Sequence, residues 1–158
     1  MSKTGFLKKL QKPSKQKAII IAIVIIVILA IVAGFFILKG DDKVNYTILG
    51  DTEYPQQITS QVIPEYRTLE RALACMVDEK VYVIASRGEK PTSGYEIAID
   101  KMVVTEEDGL KTLVVYTEFK DPQPGLALTQ VLTYPLQVAE TDLTYLPDQI
   151  ELKVQYVE

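Results

Sequence analysis

The chain has 158 residues, 47% hydrophobic and 24% charged, with no histidine and a single cysteine. Those two scarcities exclude Ser–His–Asp and Cys–His catalysis, the common zinc sites and any disulfide within the chain. The net charge of −4 conceals a division: residues 1–38 carry six lysines (Lys3, Lys8, Lys9, Lys12, Lys15, Lys17) and no acid, whereas the remainder carries 11 basic against 21 acidic residues, a net charge of −10. An acidic region without a basic stripe has no means of neutralising phosphates, so no nucleic-acid partner is expected.

Ala18 to Leu38 is a 21-residue stretch without a charge, and sixteen of its residues are Ile, Val, Leu or Phe. As a helix it is about 31 Å long, the thickness of a hydrocarbon core, and its insertion is favoured by roughly 5–10 kcal/mol. The lysines ahead of it predict a cytoplasmic N-terminus, with the lipid bilayer as a partner. A cleaved signal peptide has a shorter apolar region ending in a small-x-small site. Val32-Ala33-Gly34 is a poor match to that, so a retained signal-anchor is expected. The predicted organisation is a basic cytoplasmic tail (1–17), a transmembrane helix (18–38), a linker (39–43) and an extracytoplasmic β-rich domain (44–158) at the cell membrane.

Within that domain Val44–Leu49 alternates as a half-buried strand does. Asn45-Tyr-Thr47 is formally a glycosylation sequon, read as chance so close to the membrane. Pro55 to Ile63 predicts a short helix with Ile58, Val62 and Ile63 on one face, interrupted by Pro64. For Glu65–Val77 a second helix is favoured, with Leu69, Leu73 and Met76 in helical register. The alternative pairs its latter half with Val81–Arg87 as a hairpin turning at Asp78-Glu-Lys80. Cys75 lies among apolar neighbours and reads as a buried, inert thiol.

The rest reads as β. Val81–Ser86 is a compact apolar strand. Tyr95, Ile97 and Ile99 alternate with polar residues until a slip after Asp100 moves the apolar set to Met102 and Val104, which predicts a bulge. Glu107-Asp108-Gly109 marks a hairpin whose return strand is Lys111–Phe119. Asp121–Gly125 is a rigid loop, Leu126–Ala139 a long strand broken by Pro135, and Ile150–Tyr156 a final alternating strand. Six or seven strands with short turns predict a mainly β fold: a small antiparallel β-sandwich or open barrel with one or two short helices.

Two segments carry a resemblance. Gly88-Glu-Lys-Pro-Thr-Ser-Gly-Tyr95 and the pair Pro122-Gln-Pro-Gly125 with Thr129-Gln-Val-Leu-Thr-Tyr-Pro135 resemble the C-terminal domain of the protease complex subunit PrcB family, over Arg87–Ala139 and within about 81–140. The family's first segment reads G-x-x-P-T-G-G-Y, and Ser93 here replaces the first of the paired glycines. The resemblance implies a small β domain on the bacterial cell surface that associates with and supports a secreted protease. The candidate protein-binding loops are then Lys90, Pro91, Thr92, Ser93, Gly94 and Tyr95, with Pro122, Pro124 and Gly125.

Physics reads the first loop independently: Pro91 fixes its φ, Gly94 supplies a conformation that other residues avoid, and Tyr95 opens a strand with its ring available to a core or a partner. Structural turn and interface both remain open at this point. The Pro-Thr-x-Gly-Tyr run also resembles the loop of chagasin-type cysteine protease inhibitors, whose other two inhibitory loops have no counterpart here.

Enzymatic readings are weaker. The carboxylate clusters Asp41-Asp42 and Glu106-Glu107-Asp108 fall where a solvated linker and a hairpin tip put charge. A Ser–Lys dyad from Lys90 with Ser93 or Ser86 lacks a nucleophile elbow, and the acidic tip lacks the ligand spacing of a calcium loop. No catalytic residue, cofactor or metal is expected. The function expected is a non-catalytic, membrane-anchored protein-binding module with a secreted or surface protein, above all a protease, as partner. The alternatives are a protease inhibitor using residues 88–95 and a structural protein of the bacterial cell envelope.

Overall fold

The computed structural model describes residues 15–38 and 42–158. The chain divides into two units, one holding the first helix and the other all the strands. In the first, α1 runs unbroken from Lys15 to Leu38, 24 residues. It begins ahead of Ala18, so the end of the expected tail is helical. From Ile19 to Ile31 its side chains are exposed on every side, with no polar face to set against water. Among the described residues no helix is long and apolar enough to cross a membrane, so the expected transmembrane helix is not supported. The tail up to residue 14 and the linker at 39–41 lie outside the described residues.

The second unit is mainly β, as expected, with two four-stranded sheets. The first has the order β1 (Asp42–Lys43), β5 (Glu96–Glu107), β6 (Leu110–Lys120), β8 (Gln149–Val157). The second has the order β2 (Tyr46–Ile48), β7 (Leu136–Thr141), β4 (Lys80–Arg87), β3 (Glu70–Val77). Both sheets contribute to one buried core, Val83, Ala85 and Ala139 meeting Ile97, Met102, Leu113, Val115 and Phe119. That shared core makes the unit a sandwich. The pairing of β8 with β6 is parallel, whereas β6 pairs with β5 antiparallel.

β4 explains its own composition. Val83 and Ala85 face the shared core, while Tyr82 and Ile84 join Ile58 and Val138 in a second cluster on the opposite face of the sheet. A strand buried on both faces reads as a continuous apolar run rather than as an alternation. Covering that outer face are a π-helical turn (Ile58–Val62) and α2 (Ile63–Tyr66). Pro64 does not interrupt them. It lies in the first turn of α2, where a missing N–H costs little.

Three further expectations are corrected. Glu70–Val77 is a strand and not a helix, paired with β4 through eight consecutive registers from Glu70↔Arg87 to Val77↔Lys80. The run Val44–Leu49 is divided, because the chain leaves the first sheet after Lys43 and joins the second at Tyr46, burying Val44 between them. Leu126–Ala139 is a strand only from Leu136. Ahead of it, Thr133 pairs with Lys90 alone, and that ladder stops at Pro91, which has no N–H to continue it. The β5–β6 hairpin is as expected, with its register shift between Ile99 and Lys101 and its turn at Asp108-Gly109.

Candidate functional site

Gly88–Tyr95 connects β4 to β5, and therefore one sheet to the other, while Asp121–Gly125 leaves the far end of β6. Since Glu96 pairs with Lys120, the two loops emerge side by side from the same end of the sandwich. The acidic tip Glu106–Asp108 lies at the other end of the same hairpin. Asp42 pairs near that tip with Val104, so the chain enters this unit away from the loop pair. Eight residues of strand separate Val104 from Glu96, about 25 Å.

The two loops touch at Gly94. Its φ is +90°, and a side chain there would place Cβ 2.9 Å from Pro122 Cβ and 3.0 Å from a Leu128 methyl. Only glycine permits both the conformation and the approach. Further bonds tie the first loop to the segment following the second. Ser93 N–H donates to Thr129 O at 3.1 Å, and Thr129 N–H returns to Ser93 Oγ at 3.0 Å. Thr133 Oγ1 donates to Thr92 O at 2.8 Å, and Lys90 and Thr133 exchange both backbone bonds at 2.9 Å. Serine at position 93 thus supplies an acceptor that the family's glycine lacks.

Beneath this surface lies Arg87, only 2% exposed. Its Nη1 donates to Glu96 O at 3.0 Å and Lys120 O at 2.6 Å, and its Nη2 donates to the Asp121 carboxylate. The guanidinium carbon lies 4.8 Å from the Phe119 ring centroid, 5.0 Å from that of Tyr95 and 5.9 Å from that of Tyr156. Aromatic faces attract a cation, more so where water is excluded. Nε has no hydrogen-bond partner among the described residues. One buried charge therefore holds the end of the first loop, the start of the second and the tip of β8. Sequence reasoning misses Arg87 and Tyr156 as site residues and takes Asp121 only as the first residue of the second loop.

Of the expected residues, Pro91, Gly94, Pro124 and Gly125 are exposed, while Lys90, Thr92, Ser93, Tyr95 and Pro122 are half-buried. The Tyr95 ring is approached by two cations, the Arg87 guanidinium and the Lys90 ammonium, the latter 6.0 Å from its centroid. A cleft of about 600 Å³ opens between Asp121–Pro124 and Tyr156–Glu158. Beside the loops, Leu126, Val131 and Leu132 are 59%, 51% and 59% exposed, although nothing in the sequence pattern marks them as surface.

The proposed dyads are not assembled. Lys90 Nζ lies toward Glu70, at 3.8 Å. Ser86 is buried, donating to Arg67 O and accepting from Gly88 N–H, both at 3.1 Å. Burial raises the Cys75 thiol pKa, which disfavours the reactive thiolate. Asn45 of the sequon is engaged through both its backbone and its side chain with Asp142.

Residues 81–142 match the family model described as PrcB C-terminal, a span that runs from β4 through β7 and contains both loops. No curated protein and no solved structure matches the chain.

Proposed function

Because residues 81–142 match the PrcB C-terminal family model, we propose that the chain is a non-catalytic, membrane-anchored, extracytoplasmic module that binds and supports a secreted protease. The observation that carries this reading is the joining of the two loops into one surface by the Gly94–Pro122 approach and the Arg87 clamp. A surface organised before binding loses less entropy when its partner docks. The exposed Leu126, Val131 and Leu132 in the segment that follows the second loop support the same reading, because a protein partner would take such apolar side chains out of water.

The anchor in this proposal rests on the apolar sequence from Ala18 to Leu38 and on the helix that contains it. Labelling at cysteines introduced at Thr4 and Thr144, in a Cys75→Ser background, tests the topology. Only the second should react in intact bacterial cells, and the reverse pattern would end the proposal of an extracytoplasmic domain. Inhibition of a protease by residues 88–95 is the weaker reading. An inhibitory loop must enter a cleft, whereas Thr92, Ser93 and Tyr95 are half-buried against the sandwich.

The test of function is a crosslinked pull-down from intact cells. The full chain is compared with one carrying Pro91→Ala, Gly94→Ala and Tyr95→Ala, after circular dichroism has shown that the variant folds. Capture of a secreted protease by the first chain and its loss from the second is the expected result. Equal capture by both overturns the assignment of the loop pair as the binding surface.

A further inference from the structure

β8 is an edge strand: it pairs with β6 on one side and, among the described residues, hydrogen-bonds to no strand on the other, although Ile150–Leu152 share a groove with Leu69–Ala72 at the start of β3. Such an edge presents a row of N–H and C=O groups that can template another strand. The sequence along it, Gln149-Ile-Glu-Leu-Lys-Val-Gln155, is complementary to itself when reversed about Leu152. In that antiparallel register Leu152 faces Leu152, Ile150 faces Val154, Glu151 faces Lys153 and Gln149 faces Gln155. Residues directly opposite share a face of the sheet. The half-buried Ile150, Leu152 and Val154, packed against the shared core, would thus meet their counterparts on the core side. Both charge pairs would fall on the outer face, where Glu151 and Lys153 already lie 3.8 Å apart within one strand.

The charges also select the register. A shift must be by an even number of residues to keep the apolar set on one face. Centring the pair on Glu151 sets Glu151 against its own copy, and centring it on Lys153 does the same for the ammonium. Like charges directly opposite destabilise a strand pair. Of these three same-face registers, only the one centred on Leu152 avoids the clash.

We propose that β8 joins two copies of this chain, merging their first sheets into one continuous sheet about a two-fold axis through Leu152. The second copy is the occupant that the strand's own charge pattern complements, and the contact is the self-complementary kind that closes as a dimer. The axis is normal to the sheet, so the two loop pairs lie at opposite ends and one dimer presents the candidate surface twice. Copies held in one bilayer form this pair only with the axis along the membrane normal. The pairing does not depend on what the loops bind.

Disulfide capture in the full chain, held in detergent micelles with Cys75→Ser, tests both contact and register. Opposed Cβ atoms lie about 5 Å apart, within reach of a disulfide. A chain carrying Gln149→Cys and Gln155→Cys should convert to covalent dimer on oxidation. Either substitution alone should not, since identical positions in the two copies are about 20 Å apart along the strands. Adding Lys153→Glu should abolish capture, and mixing that chain with a double-cysteine chain carrying Glu151→Lys should restore it. Circular dichroism checks that each variant folds. The proposal is overturned if the double variant stays monomeric, if the single variants are captured equally, or if Lys153→Glu leaves capture unchanged.

Discussion

The carbonyl oxygens of Glu96 and Lys120, partners across the last pair of the β5–β6 hairpin, converge on one donor, Nη1 of Arg87, at 3.0 and 2.6 Å. Arg87 belongs to β4, in the other sheet, so a single side chain ties the two halves of the sandwich together where the loops emerge. Its charge is balanced by Asp121, whose side chain is 60% exposed against 2% for the arginine.

That asymmetry ranks two substitutions. Arg87→Met removes the donor to two carbonyls and leaves Asp121 without its cation. Asp121 is exposed enough for water to compensate, so the expected loss is about 3 kcal/mol, the low end for breaking a buried pair. Asp121→Asn keeps the carbonyl bonds but leaves the buried guanidinium without its counter-charge, for about 3–5 kcal/mol. Urea unfolding of residues 40–158 measures both. A smaller loss for Asp121→Asn than for Arg87→Met would mean that the carbonyl clamp, and not the ion pair, dominates.

The β3–β4 hairpin turns through Asp78 and Glu79 at φ of 49° and 64°, both in the left-handed region. Two-residue turns of this kind favour glycine at the second position, as the β5–β6 turn has at Gly109. Glu79→Gly should therefore stabilise the unit by roughly 0.5–1 kcal/mol, the left-handed strain relieved being partly offset by glycine's greater freedom in the unfolded chain. An unchanged or lower urea midpoint would contradict this.

The same turn shows where the fold is legible in the sequence and where it is not. Asp108-Gly109, flanked by alternating runs and matched by the slip after Asp100, makes the β5–β6 hairpin readable from residue pattern alone. Asp78-Glu79 lacks that glycine, and Leu69, Leu73 and Met76 happen to fall at helical spacing, so β3 carries the pattern of a helix. Its pairing with β4, a tertiary contact, decides otherwise. The loop pair is legible because proline and glycine mark turns locally. Arg87 is not, since a lone charge ending an apolar strand looks the same whether it is solvated or buried. The parallel partnering of β8 depends on chain topology, which no local pattern records.

Tyr54 packs against the second apolar cluster and donates its hydroxyl to Asp51 at 2.9 Å. Burial first, then that hydrogen bond and the carboxylate's charge, push its pKa up to about 12 from 10.0. The folded state favours the neutral phenol, so this contribution to stability is fully present below pH 10 and is lost as pH rises toward 12. Tyr46 and Tyr82 shift in the same direction, each mainly through burial. Ultraviolet titration should show late-ionising tyrosines in the folded unit, with one step fewer in Tyr54→Phe. If all nine tyrosines ionise together near 10, the burial argument fails.

Gly94 and Gly109 allow backbone strain to be separated from crowding. Their φ angles are similar, +90° and +80°, but a Cβ at Gly109 would meet nothing within 4 Å, whereas one at Gly94 would strike Pro122 at 2.9 Å. Gly109→Ala should cost about 1 kcal/mol, for the left-handed conformation alone. Gly94→Ala carries the same cost plus that of forcing the loops apart, for a total of roughly 2–3 kcal/mol. The two variants should also differ in binding. If the loop pair is the surface for a partner, Gly94→Ala weakens capture even in conditions where the unit remains folded, while Gly109→Ala, at the far end of the hairpin, leaves it intact. Equal effects on stability would mean that Pro122 and Leu128 yield freely, and the two loops would then not act as one preorganised surface.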